Sequence, residues 1–324
     1  MTTIALQDVA KRYGDVTALA GIDLAVESGE VFGFLGPNGA GKSTTIDILM
    51  RYTHPSSGRV EVLGHDVTSD PVSVRERTGI LPEGYAPFET MTGRQHLEYA
   101  IAANDADDDP DVLLERVDVA HAADRKAIGY SKGMTQRLGL AMALVGDPEL
   151  LILDEPSTGL DPHGVRLMRQ IVREERDRGA TVFFSSHILE QVEAVADRVG
   201  ILRQGSLIAV DTIDGLRSAN ESDGELVVEL DLERDERSEK LAAGEGVSGI
   251  GAGVTFEPVV AAVDSLAGVS SVRRDGDALV VACTTEAKLD VLDTIREQGA
   301  TITDFSTAET SLEELFVSYT EGDR

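Results

Sequence analysis

Gly36-Pro37-Asn38-Gly39-Ala40-Gly41-Lys42-Ser43-Thr44 is the stretch on which the reading of this chain turns. It follows the apolar run Val31-Phe-Gly-Phe-Leu35 and precedes a segment of helical character over residues 43–51, so it occupies the turn of a strand–loop–helix unit. Glycines at 36, 39 and 41 let the backbone curl until successive N–H groups converge on anionic oxygens. A helix beginning there turns the positive end of its dipole to the same place. Lys42 supplies a point charge for the β and γ phosphates of a nucleotide, and Ser43, a short hydroxyl in the first helical turn, is placed to ligate Mg²⁺. The loop predicts nucleotide binding, and by itself it leaves kinases, GTPases and motor ATPases equally open.

Leu150-Leu-Ile-Leu-Asp154-Glu155 places two carboxylates at the exposed C-terminal end of a buried strand, the edge of an α/β sheet where ligands gather. Asp154 is read as the Mg²⁺-side carboxylate and Glu155 as the base that polarises an attacking water. Further strands are expected at residues 78–81, 181–185 and 199–202, with helices over 94–103, 112–117, 136–145, 164–178 and 188–196. That alternation predicts an α/β core around a parallel sheet. Residues 4–9 and 22–26, separated by a loop holding Tyr13 and Gly14, predict a small antiparallel sheet ahead of it.

With 324 residues, the chain is long enough for two domains, each with its own core. Composition shifts after about Ser218 to an acidic, polar stretch and then to a glycine-rich segment over 244–253, which reads as a linker or long loop. The division is therefore 1–218 and 219–324. Beyond the linker the order is strand 226–232, helix 258–266, strands 269–273 and 278–283, helix 288–298 and strand 301–305, with a closing helix at 311–319. A β-α-β-β-α-β order of this kind predicts a ferredoxin-like α+β module.

Composition removes several function classes. The 29 basic and 58 acidic residues give a formal net charge of −29, which repels phosphate backbones and argues against nucleic-acid partners. Scarce lysine beside spread-out acids points to the solvated acidic surface of a halophilic protein. The acidic run at 105–111 lacks the glycine and terminal glutamate of a calcium loop. The single cysteine, Cys283, excludes an internal disulfide, and its alternating surroundings read as a buried strand. No apolar run approaches the roughly 18–20 residues of a membrane-spanning helix. The start, Met1-Thr-Thr-Ile-Ala-Leu, lacks a secretory signal pattern, so a cytoplasmic chain is expected.

Tyr130-Ser-Lys-Gly-Met-Thr-Gln-Arg137, shortly before the acidic strand end, resembles the signature of the ABC (ATP-binding cassette) ATPases, usually Leu-Ser-Gly-Gly-Gln followed by Gln-Arg. Ser131 and Gly133 are kept; Lys132 and Met134 depart. The resemblance covers about residues 3–218 and implies a P-loop NTPase cassette with a RecA-like parallel core, a small antiparallel β-subdomain and a helical subdomain. It implies roles residue by residue. Tyr13 matches the aromatic that stacks on adenine, Ser131 and Gly133 the pair that closes over the γ-phosphate held by the opposite copy, and Asp161, in Ser157-Thr-Gly-Leu-Asp161, the loop that communicates across the dimer. His187 matches the switch histidine at the γ-phosphate, and Glu83, in Ile80-Leu-Pro-Glu83, stands where the family commonly has a Mg²⁺-side glutamine.

The same resemblance implies an ATPase using ATP and Mg²⁺, paired with a second copy of itself and with a separate integral membrane permease, on the cytoplasmic face of the membrane. The tail Ser311-Leu-Glu-Glu-Leu-Phe316 is similar to that of subunits serving ABC-2-type exporters. The signature region also resembles a subunit assisting copper-centre maturation in nitrous oxide reductase, and sequence alone leaves both open. A soluble ABC protein of DNA repair or translation is the other rival, disfavoured by the charge and by the lack of sustained heptads.

Overall fold

The computed structural model of the protein describes residues 1–219, 225–231 and 256–308. The expected glycine-rich linker at 244–253, the closing helix at 311–319 and the exporter-like tail at 311–316 lie outside them. The chain divides into two compact units between Leu216 and Arg217, two residues before the boundary drawn from composition.

The first unit runs β1 (Thr2–Tyr13), β2 (Val16–Glu27), β3 (Val31–Leu35), α1 (Lys42–Leu49), β4 (Ser57–Val62), β5 (His65–Asp66), α2 (Pro71–Arg75), β6 (Thr78–Leu81), α3 (Gly93–Ala103), α4 (Pro110–Arg116), α5 (Lys132–Ala143), β7 (Leu150–Asp154), α6 (Pro162–Arg178), β8 (Thr181–Ser186), α7 (Leu189–Glu193), β9 (Arg198–Arg203) and β10 (Ser206–Asp211), and the division falls within α8 (Ile213–Ala219). A six-stranded sheet has the order β10-β9-β3-β8-β7-β6, with β9, β3, β8, β7 and β6 parallel and β10 antiparallel at one edge. Every residue of β3, β7 and β8 is buried, which is why β3 and the first four residues of β7 read as continuous apolar runs rather than alternating ones. Phe32 and Phe183 stack across neighbouring strands with centroids 5.8 Å apart. A side chain at Gly33 of β3 would put its Cβ 2.3 Å from Val192 of α7, so the glycine is what lets that helix approach the sheet.

A second sheet, β2-β1-β4-β5, is antiparallel throughout. The two long strands β1 and β2 exceed the lengths expected from sequence, and Tyr13 is the last residue of β1 rather than part of a loop. Between β6 and β7 the chain builds a helical arm in which α3, α4 and α5 pack together. Its helices begin on strong caps: Thr92 and Gln95 form a reciprocal capping box on α3, and Asp109 caps α4 ahead of Pro110.

The second unit comprises β11 (Glu225–Asp231), α9 (Phe256–Asp264), β12 (Val269–Asp275), β13 (Ala278–Cys283), α10 (Ala287–Glu297) and β14 (Thr301–Ala308). Its sheet order, β12-β13-β11-β14 with antiparallel neighbours, is that of the expected ferredoxin-like module. Leu226, Val228, Leu279, Val281 and Cys283 meet Val259, Val263, Val291 and Ile295 of the helices in one buried cluster. No helix among the described residues is long and apolar enough to cross a membrane.

Candidate nucleotide site

The phosphate loop joins the C-terminal end of β3 to α1, and Gly41 holds the helix start at φ 114°, a conformation in which a side chain would also meet the Ala18 carbonyl. Gly36 and Ala40 are buried beneath the loop, while Pro37, Asn38 and Gly39 form its exposed crest. A cavity of about 400 Å³ opens over it, lined by Asn38, Gly39, Gly41, Lys42, Ser43, Thr44, Glu83 and Glu155, with Val16, Thr17 and Ala18 of β2 at one side. Lys42 is only 6% exposed; its ammonium donates to the Gly36 carbonyl at 2.7 Å and lies 3.4 Å from Glu155 Oε1.

Of the acidic pair at the end of β7, Glu155 lines this cavity and Asp154 is not among the lining residues. Asp154 and Glu155 are 4% and 5% exposed at the end of β7. Glu155 adopts φ 49°, left-handed for a residue with a side chain, so the chain turns there and swings its carboxylate towards the phosphate loop. His187 Nδ1 donates to Glu155 Oε2 at 2.8 Å. Two residues that the sequence reading did not single out hold this turn. The Glu155 N–H donates to Ser185 Oγ at 3.1 Å, and the Ser185 hydroxyl donates to Asp154 Oδ1. Gln136 of α5 reaches the opposite side, its Nε2 donating to the carbonyls of Glu155 and Pro156 at 3.4 and 3.1 Å. Position 136, directly after the signature, carried a usable signal; Ser185 carried none beyond its place at a strand end.

The structure does not bring every sequence candidate into this cavity. Tyr13, 48% exposed at the end of β1, is not among the lining residues, and the Lys11 ammonium sits 4.6 Å from its ring centroid. Ser131 is the N-cap of α5, its hydroxyl accepting from the Met134 N–H at 3.2 Å, and neither it nor Gly133 lines the cavity. Gly133 lies instead against the Gly159 carbonyl, 3.1 Å from where a Cβ would stand. Asp161 accepts from Gly164 N–H at 2.7 Å as the N-cap of α6, followed by Pro162 at the first helical position.

The donor set suits a hard divalent cation. Burial first, and then the charge of Asp154, hold the Asp47 carboxyl above the ordinary carboxylate range. Glu155 Oε1 is buried without a hydrogen-bond partner apart from the nearby Lys42 ammonium. Among the described residues no three His, Cys, Asp or Glu side chains form a metal cage of their own. A cation here would draw on the Ser43 hydroxyl, one or two carboxylates and the oxygens of a nucleotide, which is how Mg²⁺ is ordinarily held.

Comparison with known proteins agrees with this geometry. The family model described as ABC transporter matches residues 19–158. The daunorubicin resistance ATP-binding protein DrrA3 of Streptomyces coeruleorubidus is 42% identical over 227 residues, covering 68% of this chain and 72% of that protein. The bacitracin transport ATP-binding protein BcrA of Bacillus licheniformis is 37% identical over 222 residues, covering 68% and 72%. A solved ATP-binding subunit of an ABC transporter superposes with a TM-score of 0.63 at 28% identity, over 68% of this chain and 93% of that one. With its phosphate loop, acidic strand end and signature helix on one cassette, the chain belongs to the ABC transporter family as an ATP-binding, ATP-hydrolysing subunit.

Proposed function

We propose that two copies of this chain close head to tail around two MgATP and drive a separate membrane permease of the ABC-2 export type from the cytoplasmic face. One observation carries the dimer: Lys42, Ser43 and Glu155 share a cavity, whereas Ser131 and Gly133 stand outside it in the same copy. A site completed by the signature helix of a second copy accounts for both halves. Export is supported by the relatives named for daunorubicin resistance and bacitracin transport.

In this reading the backbone N–H groups of residues 36–44 and the Lys42 ammonium hold the β and γ phosphates. Ser43, Asp154 and Glu83 would hold Mg²⁺, which would neutralise charge on the phosphate oxygens. Glu155 takes a proton from the attacking water, whose oxygen bonds to the γ-phosphorus as the bond to the ADP oxygen breaks. His187 donates to Glu155 Oε2 through Nδ1, which orients the carboxylate. Tyr13 stacks on adenine, and Asp161, by fixing the start of α6, holds the loop that meets the second copy.

Affinity purification of the tagged chain from detergent-solubilised membranes tests the partnership. A co-purifying protein with several membrane spans is expected; recovery with ribosomes or DNA instead would overturn the transport reading. The acidic surface carries a further expectation. With a net charge of −29, the folded chain repels itself, and at about 1 M salt the Debye length falls to about 3 Å, which screens that repulsion. Melting followed by circular dichroism should therefore sharpen and move to higher temperature as KCl rises. An identical cooperative transition at low and high salt removes the halophilic reading.

A further inference from the structure

Ser185 is 0% exposed, one residue before the end of β8, directly opposite Asp154 in the parallel ladder between β7 and β8. A hydroxyl offers one proton and two lone pairs, and here the proton goes to Asp154 Oδ1 while a lone pair receives the Glu155 N–H. One side chain thus bonds to both members of the acidic pair, to a carboxylate on the first and to the backbone on the second.

We propose that Ser185 is a positioning residue for ATP hydrolysis, fixing the orientation of the Asp154 carboxylate and the left-handed turn of Glu155 together. The inference rests on the assignment of Glu155 as base and Asp154 as the cation-side carboxylate. Two facts give it force. Glu155 at φ 49° is in a conformation that residues with a side chain hold only when their surroundings impose it, and Ser185 on the N–H with Gln136 on the carbonyl are those surroundings. A planar carboxylate with Oδ1 committed to Ser185 has Oδ2 left for a cation or its water, so the hydroxyl also chooses which edge of Asp154 faces the phosphates. The sequence makes both possible because β8 ends Phe183-Phe-Ser-Ser186, with Ser185 buried against β7 and His187, the residue after the strand, at Glu155 Oε2.

The test uses the full chain with Ser185→Ala, Ser185→Cys and Ser185→Thr. Loss of an outer partner of this kind costs about 10–100-fold, so Ser185→Ala should lower kcat by that factor, with the melting temperature also lowered because the buried Glu155 N–H loses its acceptor. Ser185→Thr keeps the hydroxyl and should restore turnover. In a Glu155→Gln background with ATP, Mn²⁺ titration followed by electron paramagnetic resonance should show weaker metal binding on Ser185→Ala, a readout independent of turnover. Should the alanine variant not fold, Ser185→Cys carries the same comparison, because it keeps the volume with only weak hydrogen bonding. Wild-type kcat and Mn²⁺ affinity in the alanine or cysteine variant would overturn the proposal, as would a folded threonine variant as slow as alanine. A wild-type chain that binds ATP and whose turnover is insensitive to Glu155→Gln would instead refute the assignment of the base, a separate failure.

Discussion

Glu155→Gln is expected to lower ATP turnover by about 10²–10⁴-fold, the usual contribution of a positioned general base, while ATP binding is kept or tightened. Glutamine preserves the length and planarity of the side chain and can still meet His187, so the geometry survives while the basicity is lost. Binding should not suffer, because Glu155 and Glu83 are both carboxylates lining the cavity that is to receive the phosphates. Removing one negative charge from beside the phosphates relieves repulsion that the Lys42 ammonium, 3.4 Å from Oε1, offsets in the wild type. Retention of radiolabelled ATP on the purified variant, together with phosphate release, measures both halves. Turnover near wild type would move the base elsewhere, and His187→Ala, measured alongside, would show whether the imidazole holds that role.

The parts of this fold that were plain in the sequence are those where one physical demand dominates. Strand β7 announced itself because burial on both faces leaves no room for polar alternation, and the phosphate loop because only glycine tolerates its turns. Elements under mixed demands were shortened or missed. Strand β1 was read to residue 9 and continues to Tyr13, because Gln7, Asp8, Lys11 and Arg12 interrupt the apolar pattern and Asp8, at φ 48°, bulges the ladder. Strands β4 and β10, each six residues long, were not read as strands at all: Gly58 interrupts the first, and the second is a half-exposed edge.

The site shows the same division. Lys42, Ser43 and Glu155 carry their chemistry in their own side chains and spacing, and all three line one cavity. Ser185 contributes through what it bonds to, thirty-one positions from Asp154 in the chain, and no local pattern records that pairing. For Asp161 the local signal was the fuller one: Asp-Pro at a helix start spells an N-cap, and the structure gives its carboxylate that work.

Mixing two inactive variants should restore ATPase activity. Lys42→Ala removes a cation, 6% exposed, from the wall of the phosphate cavity, and loss of a group aimed at transition-state charge typically costs about 10²–10³-fold. Ser131→Arg acts elsewhere: it removes the hydroxyl that caps α5 at Met134 N–H and sets a bulky cation at the exposed start of that helix. Ser131 does not line the cavity of its own copy, so in the proposed sandwich the second lesion acts chiefly on the nucleotide held by the partner. In a dimer with one copy of each variant, both lesions fall into the same composite site, and the other site keeps Lys42 from one copy and Ser131 from the other. Each homodimer should be nearly silent and the differentially tagged heterodimer active, with Glu155→Gln in both copies as the negative control. Sites built within single chains predict the opposite, since every copy would then carry a lesion of its own and mixing would restore nothing. A silent heterodimer that traps ATP at one site would mean that the two sites must fire together; one that traps none would refute the head-to-tail sandwich.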